Sequence, residues 1–353
     1  MRIPVISVEG RPLMPTTPAR ARKWIESGKA IKKWSDVGLF YVQLTQPTGD
    51  NVQPIVIGID PGKLYSGIGV QSSKATLFTA HLVLPFQKVK DRMEQRAMMR
   101  RSRRGRRINR DIAFSLRAHR QKRFSNRRGS KLPPSIRANR QLELRVVSEL
   151  CKILPVTGIV YEIVKAKGSK SFSPVMVGQK WMLIQLAEFA PVETREGWET
   201  SQLRTQLGLQ KQKHQKSDPI PATHAVDGIA LACSAFIQYE SFHSAKAHGH
   251  QWTGEVLVTA DAPFKVIRRP PISRRQLHLM VPAKGGVRRK YGGSTTRHGV
   301  RKGDLVTSPK GIGYVSGDTE KQVSVSDANW KRLGQISAKK VQLIRRSNGL
   351  IVA

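Results

Sequence analysis

The pattern of apolar and polar positions predicts alternating strands and helices along most of the chain. A continuous apolar run at 55–60, rich in β-branched residues, is typical of a strand buried on both faces. Segments 66–71 and 75–84 alternate in polarity and predict two further strands of a meander. A second apolar run at 158–164 predicts another buried strand. The main sheet is therefore expected to begin near residue 55.

Helices are predicted around and after the second buried strand. Composition and spacing favour helices at 136–154, at 178–189, around Leu203 and at 222–239. Helices alternating with buried strands predict an α/β fold.

The two ends of the chain have a different texture. The first 50 residues contain a turn-rich opening at 10–15, a basic amphipathic stretch at 18–28 and a short strand at 39–44. Beyond residue 261, short alternating strands separated by basic loops are typical of a small barrel-like β module.

Charge changes the picture more than any other property of the composition. The chain has 62 Lys and Arg against 24 Asp and Glu, a net charge of +38, while 39% of its residues are hydrophobic. Because such a charge repels itself, it favours a polyanionic partner, and nucleic acid is the expected one. The apolar fraction is still large enough to build a core, so the chain is expected to fold.

Much of this charge lies in one segment. Residues 92–128 contain 14 arginines and one lysine against two acids, a local net charge of +13. Five of the arginines follow steps of four and three, the spacing of one helix face. They are Arg96, Arg100, Arg103, Arg107 and Arg110.

Several classes of protein are disfavoured. The two cysteines, Cys151 and Cys233, form no C-x-x-C pair, which argues against a disulfide framework and a cysteine-based zinc site. The most apolar helical stretch, 228–237, is shorter than the roughly 20 residues of a membrane span. We expect a cytoplasmic protein; coating of an anionic membrane is disfavoured because the arginines are not confined to one amphipathic anchor.

Three carboxylates stand in apolar surroundings, which is unusual in a chain so poor in acid. Asp60 ends the first buried strand, Glu162 lies within the second, and Asp227 lies on the helix predicted at 222–239 with His224 one turn before it. Buried charges must be paired or must bind metal, and converging carboxylates favour Mg²⁺ or Mn²⁺. The alternatives are that the acids are partners of arginine and that the histidine is structural.

These positions, taken in order, resemble a known family. Segments 57–62 with 67–69, then 159–162, then 224–228 look like the three motifs of a RuvC-type nuclease split along the chain. Residues 103–107 satisfy the R-R-x-x-R signature of the bridge helix of RNA-guided nucleases, and 12–15 read Pro-Leu-Met-Pro, as in the small PLMP domain. Together they resemble the transposon-encoded IscB and IsrB proteins.

Departures from the pattern choose within that family. Between the second and third motifs, segment 163–223 has one histidine, His214, and no cysteine, so it cannot supply an HNH nuclease. The chain also lacks the four-cysteine zinc ribbon of TnpB-type relatives. The resemblance is therefore closest to the HNH-lacking IsrB form.

The resemblance implies an RNase H-like fold with split motifs and a two-metal nuclease site. Asp60, Glu162 and Asp227 would hold two Mg²⁺ ions, with Mn²⁺ as the substitute, and His224 would assist. The implied activity is a nick in the non-target strand of double-stranded DNA beside a short adjacent motif, directed by a noncoding guide RNA, the ωRNA. We expect a monomeric protein within a ribonucleoprotein in the prokaryotic cytoplasm, associated with the nucleoid when bound to DNA.

The implied domain organisation has five parts. They are a PLMP-type domain at 1–52, a first RuvC segment at 53–90, a bridge helix at 91–130, the second and third RuvC segments at 131–260, and a module for the target-adjacent motif at 261–353. The arginines expected to contact nucleic acid are Arg96, Arg100, Arg101, Arg103, Arg104, Arg106, Arg107 and Arg110.

Two other functions stay open from the sequence alone. One is a nucleic-acid-binding scaffold whose carboxylates only pair with arginine, and the other is an RNA-independent junction nuclease of RuvC type. The sequence also does not choose the residues that would read the adjacent motif. The candidates are Arg288, Arg289, Arg297 and Arg301.

Overall fold

The fold is a mixture of helices and strands that forms two compact units. The computed structural model describes residues 1–105, 109–116, 132–165, 173–244, 248–271, 280–281, 287–288 and 298–353. Unit 1 comprises Met1–Lys32 and Tyr41–Phe264, and unit 2 comprises Lys33–Phe40 and Lys265–Ala353. The α/β class predicted from the sequence is confirmed, whereas the five-part domain division stays a prediction.

The N-terminal segment contains four strands and one helix. They are β1 (Ile3–Ile6), β2 (Pro12–Thr16), α1 (Pro18–Glu26), β3 (Ala30–Trp34) and β4 (Phe40–Leu44). Strand β1 is antiparallel to β2 and parallel to β4. Helix α1 begins where the sequence indicates, because the Thr17 side chain accepts a hydrogen bond from the Arg20 amide and Pro18 occupies the first turn.

The central sheet of unit 1 combines an antiparallel meander with parallel strands. Its members are β5 (Ile55–Asp60), β6 (Tyr65–Ser72), β7 (Ala75–Val83), β8 (Gly158–Ile163) and β9 (Val192–Glu196). They lie in the order β7-β6-β5-β8-β9, with β5 antiparallel to β6 and parallel to β8. The apolar side chains of β5 are buried on both faces, as predicted, so this strand lies at the centre of the core.

Helices pack on both the strands and one another in unit 1. The helical elements are α2 (Phe86–Gly105), a 3₁₀ turn (Phe114–Leu116), α3 (Pro134–Cys151), α4 (Pro174–Leu186), α5 (Gly197–Gln206), a π-helical turn (Pro221–Ala225) and α6 (Val226–Cys233). Helix α3 packs against α2 and α4, and α6 packs against β5 and β6. Two further strands, β10 (Gln238–His243) and β11 (His248–Thr253), pair antiparallel.

Two sequence predictions are wrong in this unit. The helix expected at 222–239 is a π turn followed by the short α6, and its predicted end is the start of strand β10, because the apolar run continues past the point where the chain turns. The helical spacing of arginines does not extend to Arg110. That residue lies beyond α2 in a bend where the Asn109 side chain accepts the Asp111 amide hydrogen bond, which is turn chemistry.

Unit 2 is built from short strands. They are β12 (Phe264–Arg268), β13 (Met280–Val281), β14 (Val287–Arg288), β15 (Leu305–Ser308), β16 (Gly311–Asp318), β17 (Gln322–Ser326), β18 (Arg332–Ser337), β19 (Gln342–Arg345) and β20 (Ile351–Val352), with a 3₁₀ turn at Ala338–Lys340. Five of them form an antiparallel sheet in the order β18-β17-β16-β15-β19 around buried Val306, Val315 and Val325. Closure of this sheet into a barrel stays a prediction.

None of the helices in the described part of the chain combines the length and the apolar character needed to cross a bilayer.

Candidate active site

Helix α6 lies directly on the central sheet because glycines face each other across the contact. A Cβ atom on Gly58 of β5 would collide with the carbonyl oxygen of Gly228 of α6, and one on Gly69 of β6 would collide with the backbone at Ile229. The backbones therefore approach more closely than side chains on both surfaces would allow. This approach brings the first turn of α6 next to the end of β5.

The sheet and this helix bring the three predicted carboxylates into one neighbourhood. Ile59 and Tyr161 are partners across the parallel pair β5 and β8. The residues that come next in each strand, Asp60 and Glu162, therefore lie side by side near the carboxyl ends of adjacent strands. Asp227 lies in the first turn of α6 and is 1% exposed. Burial raises the pKa of both other carboxyls, and the charge of Asp60 raises it further, so the three groups interact electrostatically.

Glu162 is held by a hydroxyl from the neighbouring helix. The Thr200 Oγ1 of α5 donates a hydrogen bond of 2.5 Å to Oε2 of Glu162. Burial raises the pKa of Glu162 to about 7, the charges of Asp60 and Asp227 act in the same direction, and the Thr200 hydrogen bond opposes them. The cluster is therefore a repulsive arrangement in which this carboxyl binds a proton more readily than a free glutamate.

Asp227 is neutralised by two cations that the sequence did not single out. Its Oδ1 accepts a hydrogen bond from Arg204 Nη1 of α5, and its Oδ2 accepts one from Lys211 Nζ. Burial and the charge of Asp60 raise the pKa of Asp227, while the charges of Lys211 and Arg204 lower it, and the net change is upward. The ion pairs therefore offset only part of the cost of burying this carboxylate.

His224 lies between the carboxylates and a group of aromatic rings. Its Nδ1 is 3.5 Å from Oδ2 of Asp60, and its Nε2 is 3.2 Å from the Lys216 carbonyl oxygen. Its ring contacts Tyr65 and His81, with centroids 5.6 and 5.3 Å away. Burial raises the pKa of Asp60, but His224 and the charge of Lys211 outweigh burial, so the pKa of Asp60 is lowered and the group is ionised.

A buried polar network supports the loop that follows Asp60. Arg140 of α3 donates hydrogen bonds to the Tyr161 hydroxyl at 2.7 Å and to the Gly62 carbonyl at 2.8 Å. It also forms an ion pair of 3.0 Å with Glu143, which accepts a hydrogen bond of 2.5 Å from Ser66. Because this network bonds to the residue before Glu162 and to the loop after Asp60, α3 fixes the ends of both strands.

The donor chemistry of the cluster fits a hard divalent cation, although the described geometry does not yet form a single-ion site. Carboxylate oxygens are the ligands that Mg²⁺ prefers, and the buried Nδ1 of His224 makes no hydrogen bond within the described residues. However, no three His, Cys, Asp or Glu side chains in the described ranges lie close enough to hold one metal ion. Asp227 accounts for the lack of such a three-ligand group, because Arg204 and Lys211 already bind both of its oxygens.

The predicted nucleic-acid-binding arginines are only partly placed. Arg100 and Arg101 lie exposed on α2, Arg96 is half-buried on the same helix, and Arg110 is exposed beyond its end. Helix α2 includes the backbone of Arg103 and Arg104. Arg106 and Arg107, as well as Arg289 and Arg297 in unit 2, lie outside the described residues. Among the predicted arginines whose side chains the structure describes, those of the arginine-rich segment all lie on α2 or just beyond its end.

Sequence reasoning missed the residues that contact the carboxylates from other elements. Thr200 and Arg204 lie on α5 and Lys211 lies in the connector after it, more than 15 residues from their acidic partners. A threonine or a lysine carries no local signal of such a contact. His81, whose Nδ1 is 3.2 Å from Thr223 Oγ1, is buried in β7 and looks like any other position in that strand pattern.

A comparison with protein families matches the N-terminal half of the chain. Residues 3–179 match the family described as RRXRR protein, and residues 103–107 read Arg-Arg-Gly-Arg-Arg. Among curated proteins, none matches the chain.

Two solved structures of low similarity are both of RuvC from Thermus thermophilus. The one in complex with a Holliday junction substrate is 15% identical, covers 51% of this chain and 90% of its own, and has a TM-score of 0.28. The other is 14% identical, covers 50% of this chain and 90% of its own, and has a TM-score of 0.27.

Proposed function

The chain belongs to the RRXRR protein family, and from that membership together with the carboxylate cluster we propose that it is a metal-dependent endonuclease that nicks DNA under the direction of a guide RNA. One observation carries the proposal: Asp60 and Glu162 lie at the ends of two adjacent parallel strands, and Asp227 lies in the first turn of α6, where it interacts electrostatically with both. Their mutual repulsion is the property expected of a site that binds divalent cations.

In this mechanism the chain supplies ligands, a proton acceptor and neutralising cations. Asp60, Glu162 and Asp227 would hold divalent cations, with Mg²⁺ the expected ion, which when bound supply a nucleophilic water and stabilise the leaving oxygen of the phosphodiester. The Lys216 carbonyl can only accept a hydrogen bond, so Nε2 of His224 is the donor there, and Nδ1 lies 3.5 Å from Oδ2 of Asp60. In the neutral ring, this Nδ1 would accept the proton of the attacking water.

Arg204 and Lys211 have one role in the protein without metal and another in the protein with metal. Before metal binds, they neutralise Asp227 and hold α5 and the following connector against α6. If Asp227 served as a metal ligand, Arg204 and Lys211 would be free to neutralise the phosphates of the bound strand beside the site. The ion pairs thus keep the buried carboxylate stable in the protein without metal.

Guidance by RNA is the finer part of the proposal. It is supported by the net charge of +38 and by the exposed arginines of α2, which suit a helix in contact with nucleic-acid backbones. The guide, called ωRNA in the resembling family, would pair with one DNA strand, and unit 2 would read the short adjacent motif. Cleavage of the displaced non-target strand by one nuclease site would yield a nick.

The experiment is a cleavage assay on the protein purified with its RNA. The RNA that copurifies is sequenced, and a supercoiled plasmid carrying the matching target is incubated with the complex and Mg²⁺. We expect nicked plasmid from the native protein and from Asp50→Ala, an exposed acid, but none from Asp60→Ala. Cleavage by Asp60→Ala would refute the site, and absence of a discrete bound RNA would refute guidance.

A second candidate function is a nucleic-acid-binding scaffold without nuclease activity. One observation favours it, which is that both oxygens of Asp227 are already paired with cations. It predicts that Asp227→Asn changes stability but leaves every measured activity of the complex unchanged. Cleavage of a four-way DNA junction by RNase-treated protein would instead favour an RNA-independent junction nuclease.

A further inference from the structure

We propose that a cleft beside the candidate active site binds one unstacked nucleobase of a single-stranded nucleic acid, with a preference for bases that carry an exocyclic amino group. The inference deepens the proposed function, on which it rests for the strand that would bring the base. The cleft has a volume of about 420 Å³, within the range of ligand sites. Its lining comes from four elements and includes Glu193, Arg195, Glu199, Tyr239 and Trp252.

Aromatic rings provide the stacking surface. The Tyr239 ring lies 5.0 Å from the Trp252 ring and stacks on His250 at 5.4 Å, with an interplanar angle of 21°. Trp198 contacts Tyr239 edge-on, with ring centroids 6.1 Å apart, and remains 51% exposed. Unstacked bases bind to proteins by stacking on such rings. A large indole exposed beside a cleft is a surface that a base would cover.

The charges of the cleft favour a base over a phosphate. The Arg195 guanidinium lies 5.9 Å from the Trp252 ring and already forms an ion pair of 2.8 Å with Glu193. With Glu199 also present, acids outnumber the cation in the lining, which is unfavourable for a phosphate. A base edge is neutral, and an amino group on it donates to a carboxylate in the way that cytosine donates to Glu or Asp.

Two residues of the lining carry hydrogen-bond donors without partners. The Nε1 of Trp252 and the Nε of Arg195 are buried and have no hydrogen-bond partner among the residues that the structure describes. Buried donors without partners are uncommon in folded proteins. We therefore place the base edge on the Glu193 side of the cleft, where Arg195 can rearrange to contact a carbonyl oxygen of the same base.

The cleft and the carboxylate cluster share structural elements. Arg195 of β9 is the register partner of Glu162 of β8, so their side chains emerge on the same face of the sheet. Glu199, in the lining, precedes Thr200, which donates to Glu162. A strand whose phosphate lies at the carboxylates therefore reaches the cleft with a nearby nucleotide. The cleft would set a base preference close to the nicked bond.

The test measures binding without cleavage. Full-length protein in EDTA and 0.3 M salt is titrated with short fluorescent oligonucleotides of deoxycytidine or thymidine, and with cytidine and uridine counterparts. We expect tighter binding of the cytosine oligonucleotides, and Trp198→Ala should lose about tenfold in affinity, the effect of one stacked base. The matched control is Trp34→Ala, which removes another exposed tryptophan, 69% exposed, and should change nothing.

A second variant separates base recognition from stacking. Glu193→Leu keeps the size of the side chain and should abolish the preference for cytosine over thymine or uracil while binding persists. A loss of affinity in Trp198→Ala for either the DNA or the RNA oligonucleotides supports the cleft. The type of oligonucleotide that binds more tightly shows whether the base comes from DNA or from RNA. Equal affinity of Trp198→Ala and Trp34→Ala in both arms, or equal binding of the two bases by the native protein, overturns the proposal. Because the assay contains no Mg²⁺, its failure is distinct from a failure of the Asp60→Ala cleavage test.

Discussion

Arg140 offers a direct test of how the site is supported, because its side chain is 1% exposed and has three partners. Replacing it in Arg140→Met leaves Glu143 as a buried carboxylate without its cation and leaves the Tyr161 hydroxyl and the Gly62 carbonyl without their donor. Removing one partner of a buried ion pair costs about 3–5 kcal/mol. For a unit of this size, that cost corresponds to a fall in melting temperature of about 10 °C.

The assay is thermal unfolding of the full chain, with a matched variant on the same helix. Arg145 also pairs with a glutamate, Glu149, at 3.0 Å, but its side chain is 41% exposed. Because solvent screens such a pair, Arg145→Met should cost less than about 1 kcal/mol. Equal melting temperatures for Arg140→Met and Arg145→Met would refute the reasoning.

The loss in Arg140→Met also has a predicted pH dependence. Burial raises the pKa of Glu143 in the native protein and Arg140 lowers it, so removal of Arg140 raises the pKa of Glu143 further. An acid whose pKa is raised by folding destabilises the fold when it is ionised, and this cost disappears as it binds a proton. The deficit of Arg140→Met should therefore be largest above neutral pH and shrink as the pH falls from 8 towards 5. A deficit that grows as the pH falls would contradict this sign.

Three further variants test the site and its frame. Thr200→Val should reduce cleavage by about tenfold, since a hydrogen bond to a charged group contributes about 1.5–3 kcal/mol. Thr205→Val, whose exposed hydroxyl bonds to the Ser201 carbonyl, should retain activity. Lys211→Met should lower the melting temperature in EDTA and increase the stabilisation by added Mg²⁺, because Lys211 and the metal ion would compete for Asp227. The exposed Lys213→Met should change neither quantity, and a smaller Mg²⁺ effect in Lys211→Met would argue against this competition. Gly69→Ala should cost at least about 3 kcal/mol by circular dichroism melts, and a native-like melt would contradict the close backbone contact.

The central strands were predictable because nearly every consecutive residue in them is apolar. Strand β5 is apolar at nearly every position, and only a strand covered on both faces satisfies that pattern. The carboxylates at 60, 162 and 227 stood out for the same reason, as charges in apolar surroundings. Strands β9 and β10 were missed because their positions are mostly polar and carry no periodic apolar signal.

The partners of the carboxylates could not be predicted, because they depend on the path of the chain in three dimensions. Arg204 was one of many basic residues, and only the packing of α5 on α6 selects it as a partner of Asp227. The end of α6 was also hidden, since the apolar character continues to Ile237 while the backbone has already left the helix. The composition indicates which residues are buried. The position where the chain leaves α6 depends instead on the pairing of the following strand, β10.

The glycine contact between α6 and the sheet fixes the distance between the two backbones. Where side chains separate two elements, the spacing varies with rotamers and can be retuned by substitution, but Gly58, Gly69 and Gly228 leave only the thickness of two backbones. The spacing of the backbones that carry Asp60 and Asp227 is consequently set by main-chain atoms and does not depend on the packing of side chains between them. Engineering of this protein for a different metal or substrate should therefore leave this contact intact and vary α5 and the connector after it, which approach the same carboxylates through adjustable side chains.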